Sequence, residues 1–504
     1  MREPAASGTF DVLVIGAGFG GLAAALSLAE RGARVCLCES LRYPGGCAST
    51  FQRGGFRFDA GATLLSGLGA DQLFGSWLER YAPSTQIDWM DPLVELRAAE
   101  FQLEVGRDRE ALIAHFCAMK GAPVAAIVAF FGRQQAVAAV LWSVFDDVDL
   151  LPPFGVKNLA RHSARLLRYA ALAPLLGRSL ASVLGSYGLA EFAPLRLYVD
   201  ALCQITVQCA AAEAEALFAL AAMDYYYRGT AHVRGGVGAL ANVLLAAAAQ
   251  AGAEVRLPAR VSGLHRDSDG TWLATTRRGP VRARAVIANL IPEALEALLA
   301  REPHHLHGRA ELRARASAFE DSWGAAMLYA VARTPPGSRE QAHHLQLVGE
   351  SEQPLTEGNH IFVSASSALE TERAPLGRRT LTISTHLPLA KLRAAGSDAG
   401  RYVQSVQQRM RRTLERRAPE WFAGVEYELT ASPRTFARFV GRPSGTVGGL
   451  PRRVGLSSYS SIGVGQVLNG VWLAGDSVFP GQSALATAIG GVRTAADVRR
   501  SLGG

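Results

Sequence analysis

Two groups of residues have types and spacings that imply chemistry. The first is Gly16-Ala17-Gly18-Phe19-Gly20-Gly21, with Glu39 further along the chain. In a G-x-G-x-x-G pattern Gly16 allows the tight turn, Gly18 lets the backbone approach a pyrophosphate, and Gly21 lets a helix lie close on a sheet. Phosphate charge then meets a helix N-terminus. An acid about 20 residues beyond the glycines is placed to accept hydrogen bonds from both ribose hydroxyls of an adenosine half. The second group is Gly475-Asp476 near the C-terminus. An acid ending that late strand is placed to bind a ribityl hydroxyl, and a helix after it would point its positive end at the pyrimidine side of a flavin. A helix-capping role for Asp476 is compatible with this. Together the two groups point to FAD. A second dinucleotide motif is missing, because Gly463-Val464-Gly465 is followed by Gln466-Val467-Leu468 without the third glycine. Electrons are therefore expected to leave to oxygen, a quinone or another acceptor.

Candidates for proton chemistry lie just before Gly235, where Tyr225, Tyr226, Tyr227, His232 and Arg234 cluster in sequence. Ligands favour such junctions between domains. His232 is the candidate to accept the proton that accompanies hydride loss; the competing reading is a hydrogen-bonded structural histidine. The six cysteines show no C-x-x-C pair or metal-ligand spacing, which predicts neither a metal site nor a disulfide framework.

Elements that could position these groups recur in three places. Asp11-Val12-Leu13-Val14-Ile15 reads as a strand; Leu22, Ala25, Leu26 and Ala29 recur at helical spacing up to Gly32, and Val35 to Cys38 read as the next strand. The signals return at Gly235-Gly236 with a helix-like stretch, a hairpin pattern turning at Asp267-Ser268-Asp269-Gly270, and the apolar run Ala285 to Asn289. They return again at Gly470 to Asp476. The fold class is thus α/β: a discontinuous Rossmann-like FAD-binding domain (8–75, 231–300 and 441–504) with an inserted mixed, largely helical substrate domain (76–230 and 301–440). The length of 504 residues fits two domains.

The formal charge is +8, carried almost wholly by arginine, and the apolar share is 49%. No basic cluster interleaves with aromatics, so nucleic acid is not expected as a partner. An anionic membrane surface fits the charge and apolarity better. Arg161, Arg165 and Arg168 fall on one helical face among Leu159, Leu166, Leu167, Ala170 and Leu172, which reads either as a membrane-surface stretch or as an ordinary solvated face. No run reaches about 18 uncharged apolar residues, and no cleavage pattern flanks the first apolar run. A cytoplasmic protein, peripheral to a membrane, is expected. Leu195, Leu197, Leu202, Ile205, Val207, Leu217, Phe218 and Leu220 are candidates for an apolar tunnel, with plain core as the alternative.

The chain resembles the phytoene desaturase-like flavoenzymes, a family of carotenoid desaturases, carotenoid isomerases and retinol saturases within the amine oxidase superfamily. The resemblance rests on Pro44-Gly45-Gly46-Cys47-Ala48-Ser49-Thr50-Phe51, on Gly55-Phe56-Arg57-Phe58-Asp59-Ala60-Gly61-Ala62-Thr63, on Gly235 to Leu240, on Thr435-Phe436 with Gly441-Arg442, Gly445 and Gly448-Gly449, and on Ala474-Gly475-Asp476-Ser477-Val478-Phe479-Pro480-Gly481-Gln482. It implies cofactor contacts at Gly46, Ser49, Gly61, Ala62, Thr63 and Gln482, with Val261 counted among them. Two departures bear on subtype. Cys47 stands where bacterial phytoene desaturases usually have Arg, and Ala62 where they have Pro. These forms, and Phe479-Pro480-Gly481-Gln482, are closer to the isomerases and the late-acting desaturases. The resemblance therefore implies hydride removal from an apolar polyene, a carotenoid or relative, with isomerisation or saturation by the same flavin as alternatives. A GDP-dissociation-inhibitor-like binding protein is the non-enzyme alternative, and Asp476 with the glycine segments argues against it. An amine oxidase with covalent flavin is disfavoured, since no cysteine follows Cys209.

Overall fold

The computed structural model describes residues 8–152, 156–300, 308–455, 458, 459, 462, 463 and 465–503. Val464, within the segment that lacks a third glycine, lies outside them.

The strand Phe10–Ile15 pairs in parallel with Val35–Cys38 on one side and Val281–Ala288 on the other. Val12, Leu13 and Val14 are fully buried, as an unalternating apolar run in a central parallel strand requires. The order across this sheet is Val261–Arg266, Trp272–Thr276, Val281–Ala288, Phe10–Ile15, Val35–Cys38 and Glu254–Arg256, with Val471–Leu473 joining Val281–Ala288 and Gln466–Leu468 joining Val471–Leu473. Segments more than 180 residues apart in sequence therefore share one sheet. The helices Phe19–Ala29, Val237–Gln250 and Ala484–Ser501 share the core on one face. Small residues permit their close approach: a Cβ at Gly491 would sit 2.1 Å from the carbonyl oxygen of Gly20.

The inserted segments build a second, seven-stranded sheet in the order Val425–Ala431, Trp323–Arg333, Arg378–Pro388, His360–Ala365, His343–Val348, Val94–Arg97 and Gln102–Val105. Two of these strands come from the segment 76–230 of the inserted domain, which is expected from sequence to be largely helical. Val94 and Leu96, then Leu103 and Val105, alternate inward over only four residues per strand, and that short period-two signal is swamped by the helical stretches around it. Between Arg109 and Ala222 the described residues of that segment are mostly helical and form their own apolar cluster.

One of its helices, Val124–Phe145, is long and apolar enough to cross a membrane by length and composition, although Arg133 interrupts it. Ile127, Phe130, Phe131 and Val137 are buried in the helical cluster, and Gln134 Nε2 donates to Leu220 O at 3.0 Å and to Asp224 Oδ1 at 2.8 Å. It packs as one wall of a bundle. The basic stretch beyond it divides into the helices Val156–Ser163 and Leu166–Ala170. Leu159, Leu166 and Leu167 are 60%, 61% and 90% exposed there.

Candidate functional site: a cavity between the two sheets

A cavity of about 730 Å³ runs from the glycine turn after the first strand to the face of the second sheet. That volume lies within the range of about 300–1,000 Å³ usual for ligand pockets. Of the residues predicted from sequence, Gly16, Gly18, Glu39, Gly46, Gly61, Ala62, Thr63, Val261, Gly475, Asp476 and Gln482 line it. Gly21, Ser49 and His232 do not.

The turn is built as a dinucleotide needs. Gly16 has φ +95°, and a Cβ there would lie 2.9 Å from Asn289 O. Glu39 is 7% exposed and its carboxylate is held by the chain: Oε2 accepts from Ala17 N at 2.7 Å, and Oε1 from Leu41 N at 2.8 Å and Ser40 Oγ at 3.0 Å. A carboxylate has about four lone-pair sites and three are taken, so one is left for a ribose hydroxyl. Asn289, which sequence reasoning passed over as the last residue of a strand, is the hub of the turn. A Cβ at Gly18, Gly20 or Gly475 would come within 2.7–2.8 Å of its side-chain amide. Four missing Cβ atoms let Asn289 pack among the glycines and leave the turn without side chains where it lines the cavity, which together with the oriented acid fits the adenosine and pyrophosphate parts of FAD.

Gly21 serves the fold: a Cβ there would meet Gly16 O at 2.0 Å, so its role is to seat the helix on the turn. Ser49 is 2% exposed, and its carbonyl accepts from Ala60 N at 2.7 Å, which ties the two family segments 44–51 and 55–63 together.

Asp476 reaches the cavity but does not cap the last helix. Ser483 does so, accepting from Ala486 N at 3.0 Å, because residues 477–483 intervene between the strand and the helix. Asp476 instead pairs with Arg442, Nη2 to Oδ2 at 2.6 Å. Burial opposes the charge on Arg442, but Asp476 and the Cys47 thiol beside it raise the guanidinium pKa above its ordinary value.

His232 is removed from the proton-acceptor role. It is 4% exposed and its Nε2 lies 3.0 Å from Glu370 Oε1, which also accepts from Gly235 N at 2.6 Å. Glu370 Oε2 accepts from Ser367 N at 2.8 Å. Through Glu370, this histidine and the Gly235 turn are fastened to the connection between the strands His360–Ala365 and Arg378–Pro388. Burial alone would raise the Glu370 pKa, yet the His232 hydrogen bond, the nearby His232 and Arg373 charges and the Gly235 N–H hold it at about 2, against an ordinary 4.5. A carboxyl depressed in the folded state stabilises the protein above its unfolded pKa and loses that contribution as pH falls through the folded value. Between about pH 4.5 and 2 this group is expected to withdraw on the order of 3 kcal/mol, from about 1.4 kcal/mol per pKa unit. Unfolding free energies from denaturant titrations across that window should fall more steeply for the native protein than for Glu370→Gln.

The remaining wall is apolar, with few polar groups. Of the tunnel candidates, Ile205, Val207 and Phe218 line the cavity, whereas Leu195, Leu197, Leu202, Leu217 and Leu220 belong to the helical core. The second sheet contributes Met327, Phe362, Ser384 and His386, none of which sequence reasoning singled out, because a strand's facing is fixed only by its neighbours. His386 Nε2 lies 3.0 Å from Gln208 Oε1, and burial lowers its pKa to about 4, leaving the ring neutral at pH 7. Of the tyrosine cluster only Tyr225 lines the cavity, and its hydroxyl donates to Leu64 O at 3.0 Å.

Comparison with known proteins agrees with this geometry. The family profile described as flavin containing amine oxidoreductase matches residues 19–499. Prolycopene isomerase of Arabidopsis thaliana is 25% identical over 97% of this chain and 83% of its own length. Phytoene dehydrogenase of Streptomyces griseus is 30% identical over 58% of this chain and 56% of its own length. In fold, cyclohexylamine oxidase from Brevibacterium oxydans superposes with a TM-score of 0.60 at 16% identity, covering 99% of this chain and 100% of that structure.

Proposed function

The chain belongs to the flavin-containing amine oxidoreductases and is an FAD-dependent enzyme, and on that premise we propose that it desaturates a carotenoid or related polyene by hydride transfer to the flavin, in carotenoid biosynthesis. The observation that carries this reading is one continuous cavity joining the dinucleotide cradle to an apolar wall. The names of the carotenoid-processing relatives support it.

FAD supplies a strong hydride acceptor at its ring. The chain binds and orients. Backbone N–H groups at the start of the helix Phe19–Ala29 meet the pyrophosphate, Glu39 the adenosine ribose, and Asp476, braced by Arg442, the ribityl chain. Gly46, Gly61, Ala62, Thr63, Val261 and Gln482 complete the lining around the cofactor. Phe218, Phe362, Met327 and Val207 hold an apolar chain against it and exclude water. Hydride loss leaves a cation that completes the double bond by releasing a proton from the neighbouring carbon, and neutral His386 in the wall is the acceptor: its Nε2 hydrogen goes to Gln208 Oε1, which leaves the Nδ1 lone pair to take that proton. Oxygen or a quinone is the proposed terminal acceptor.

A second reading is cis–trans isomerisation by the same flavin without net turnover, and one observation favours it: relatives aligned along nearly the whole chain include prolycopene isomerases. Polyene saturation is the reverse hydrogen flow in the same site. Anaerobic incubation of the purified protein with carotenoids in liposomes separates the three. Flavin bleaching with a product two hydrogens lighter establishes desaturation. An isomer of unchanged mass establishes isomerisation, and a product two hydrogens heavier from pre-reduced protein establishes saturation.

Access to a membrane-dissolved substrate is proposed to run through the basic stretch, where exposed Leu159, Leu166 and Leu167 stand beside Arg165 and Arg168. Burying a leucine contributes about 1.5–3 kcal/mol and a basic residue near an anionic surface about 1 kcal/mol. Leu166→Asp with Leu167→Asp is expected to weaken co-sedimentation with anionic phospholipid vesicles at least about tenfold while the flavin spectrum stays unchanged. Equal binding by the variant would place the membrane contact elsewhere.

A further inference from the structure

The polar face of the second sheet carries a device that the reading above does not use. Three consecutive strands put Tyr329, Thr382 and Ser364 in one row, with His344 opposite Ser364 on the fourth. Each grips the segment 59–63: Tyr329 Oη donates to Ala60 O at 2.6 Å, Thr382 Oγ1 to Asp59 O at 3.0 Å, and Ser364 Oγ to Thr63 Oγ1 at 2.5 Å. Behind Ser364, His344 Nδ1 lies 2.6 Å from the Ser364 oxygen.

A hydroxyl has one hydrogen, and that of Ser364 is spent on Thr63. His344 Nδ1 must then be the donor to Ser364. The burial of the ring agrees with this assignment: His344 is 2% exposed, its Nε2 has no partner, and an unpartnered lone pair costs less there than an unpartnered N–H. Burial, then the charges of His232, His343 and Arg373, holds its pKa well below the ordinary 6.5, so the ring stays neutral. Stacking at 28° on Phe362, itself part of the cavity wall, fixes its orientation. With its oxygen already accepting, Thr63 has its own hydrogen left, and among the described residues it donates to no protein atom. Thr63 lines the cavity; Ser364 and His344 do not.

We propose that His344, Ser364 and Thr63 form a one-way donor chain that locks the Thr63 hydroxyl as a hydrogen-bond donor to the ring system of the bound flavin. Ser364 and His344 are positioning residues. The inference rests on the assignment of FAD to this cavity. The reduced ring carries more negative charge than the oxidised one, so a fixed donor stabilises it preferentially and raises the reduction potential.

The test is an anaerobic redox titration of the flavin in the full-length holoprotein, with its absorption spectrum recorded throughout. Thr63→Val is expected to lower the midpoint potential and shift the oxidised absorption envelope, and Thr63→Ser to restore both. Ser364→Ala and His344→Phe, which keeps a ring for stacking, are expected to lower the potential in the same direction from outside the cavity. His344→Asn, with an amide N–H in place of Nδ1, should recover most of the native value. An unchanged potential in Thr63→Val overturns the donor. A fall in Thr63→Val with none in Ser364→Ala and His344→Phe overturns the chain. Native protein without flavin overturns the cofactor assignment instead.

Discussion

Replacing Arg373 by Met is expected to cost about 3–5 kcal/mol of folding stability, the range for removing one partner of a buried ion pair. Arg373 and Asp59 are 2% and 5% exposed at their side chains and meet at 2.9 Å. Without the guanidinium, the Asp59 carboxylate would remain buried. Its other partners are Thr50 Oγ1 at 2.6 Å and Val237 N at 3.1 Å, both neutral. The loss should spread, because Asp59 anchors the start of the helix Val237–Gln250 while Arg373 sits beside Glu370 and hence the turn at Gly235. Chemical denaturation of the variant should show a lowered midpoint, and Asp59→Asn combined with Arg373→Met should recover part of it, since the double variant no longer buries an unpaired charge. A loss below about 1 kcal/mol in the single variant would mean that water reaches Asp59 and that the pair is not a structural tie.

Gly21→Val is the change expected to abolish cofactor binding. A Cβ at that position would lie 2.0 Å from Gly16 O and 3.1 Å from Asn289 Cβ, with backbone rather than a yielding side chain as the nearer obstacle. The helix would have to lift from the turn, moving the N–H groups proposed to meet the phosphates. Colourless protein with a destabilisation above about 4 kcal/mol, a size reserved for disrupted cores and backbone conflicts, is the anticipated result. Gly32→Ala supplies the control. Gly32 also has a positive φ, +80°, but no atom lies within 4 Å of a Cβ there, so about 1 kcal/mol of backbone strain and a normal flavin content are expected. Bound flavin in Gly21→Val at native stoichiometry would remove close helix–turn contact from the requirements of the site.

Much of the candidate cofactor cradle is legible in the sequence. Gly16, Gly18, Gly21 and Glu39 act within about 25 residues of chain, where a positive φ, a missing Cβ and an acid at a strand end are enforced by local geometry and so leave a local pattern. The parallel strands were legible for a related reason: burial on both faces demands unbroken apolar runs such as Val12 to Ile15. Tertiary structure alone decided the rest of the site. Asn289 became a hub only when its strand was laid beside Phe10–Ile15, and His232 left the cavity because Glu370, 138 residues away, sits under the Gly235 turn. The pair Arg373–Asp59 and the contact of Ser364 with Thr63 join residues 314 and 301 apart. Ser364 is aimed by the register of the second sheet, where a shift of one residue would turn Ser364, Ser384 and His386 to the opposite face, whereas Arg373 is carried by the connection between two of its strands. Single-sequence spacing carries no information about that register, since it is set by which strands become neighbours and not by the order of residues within any one of them.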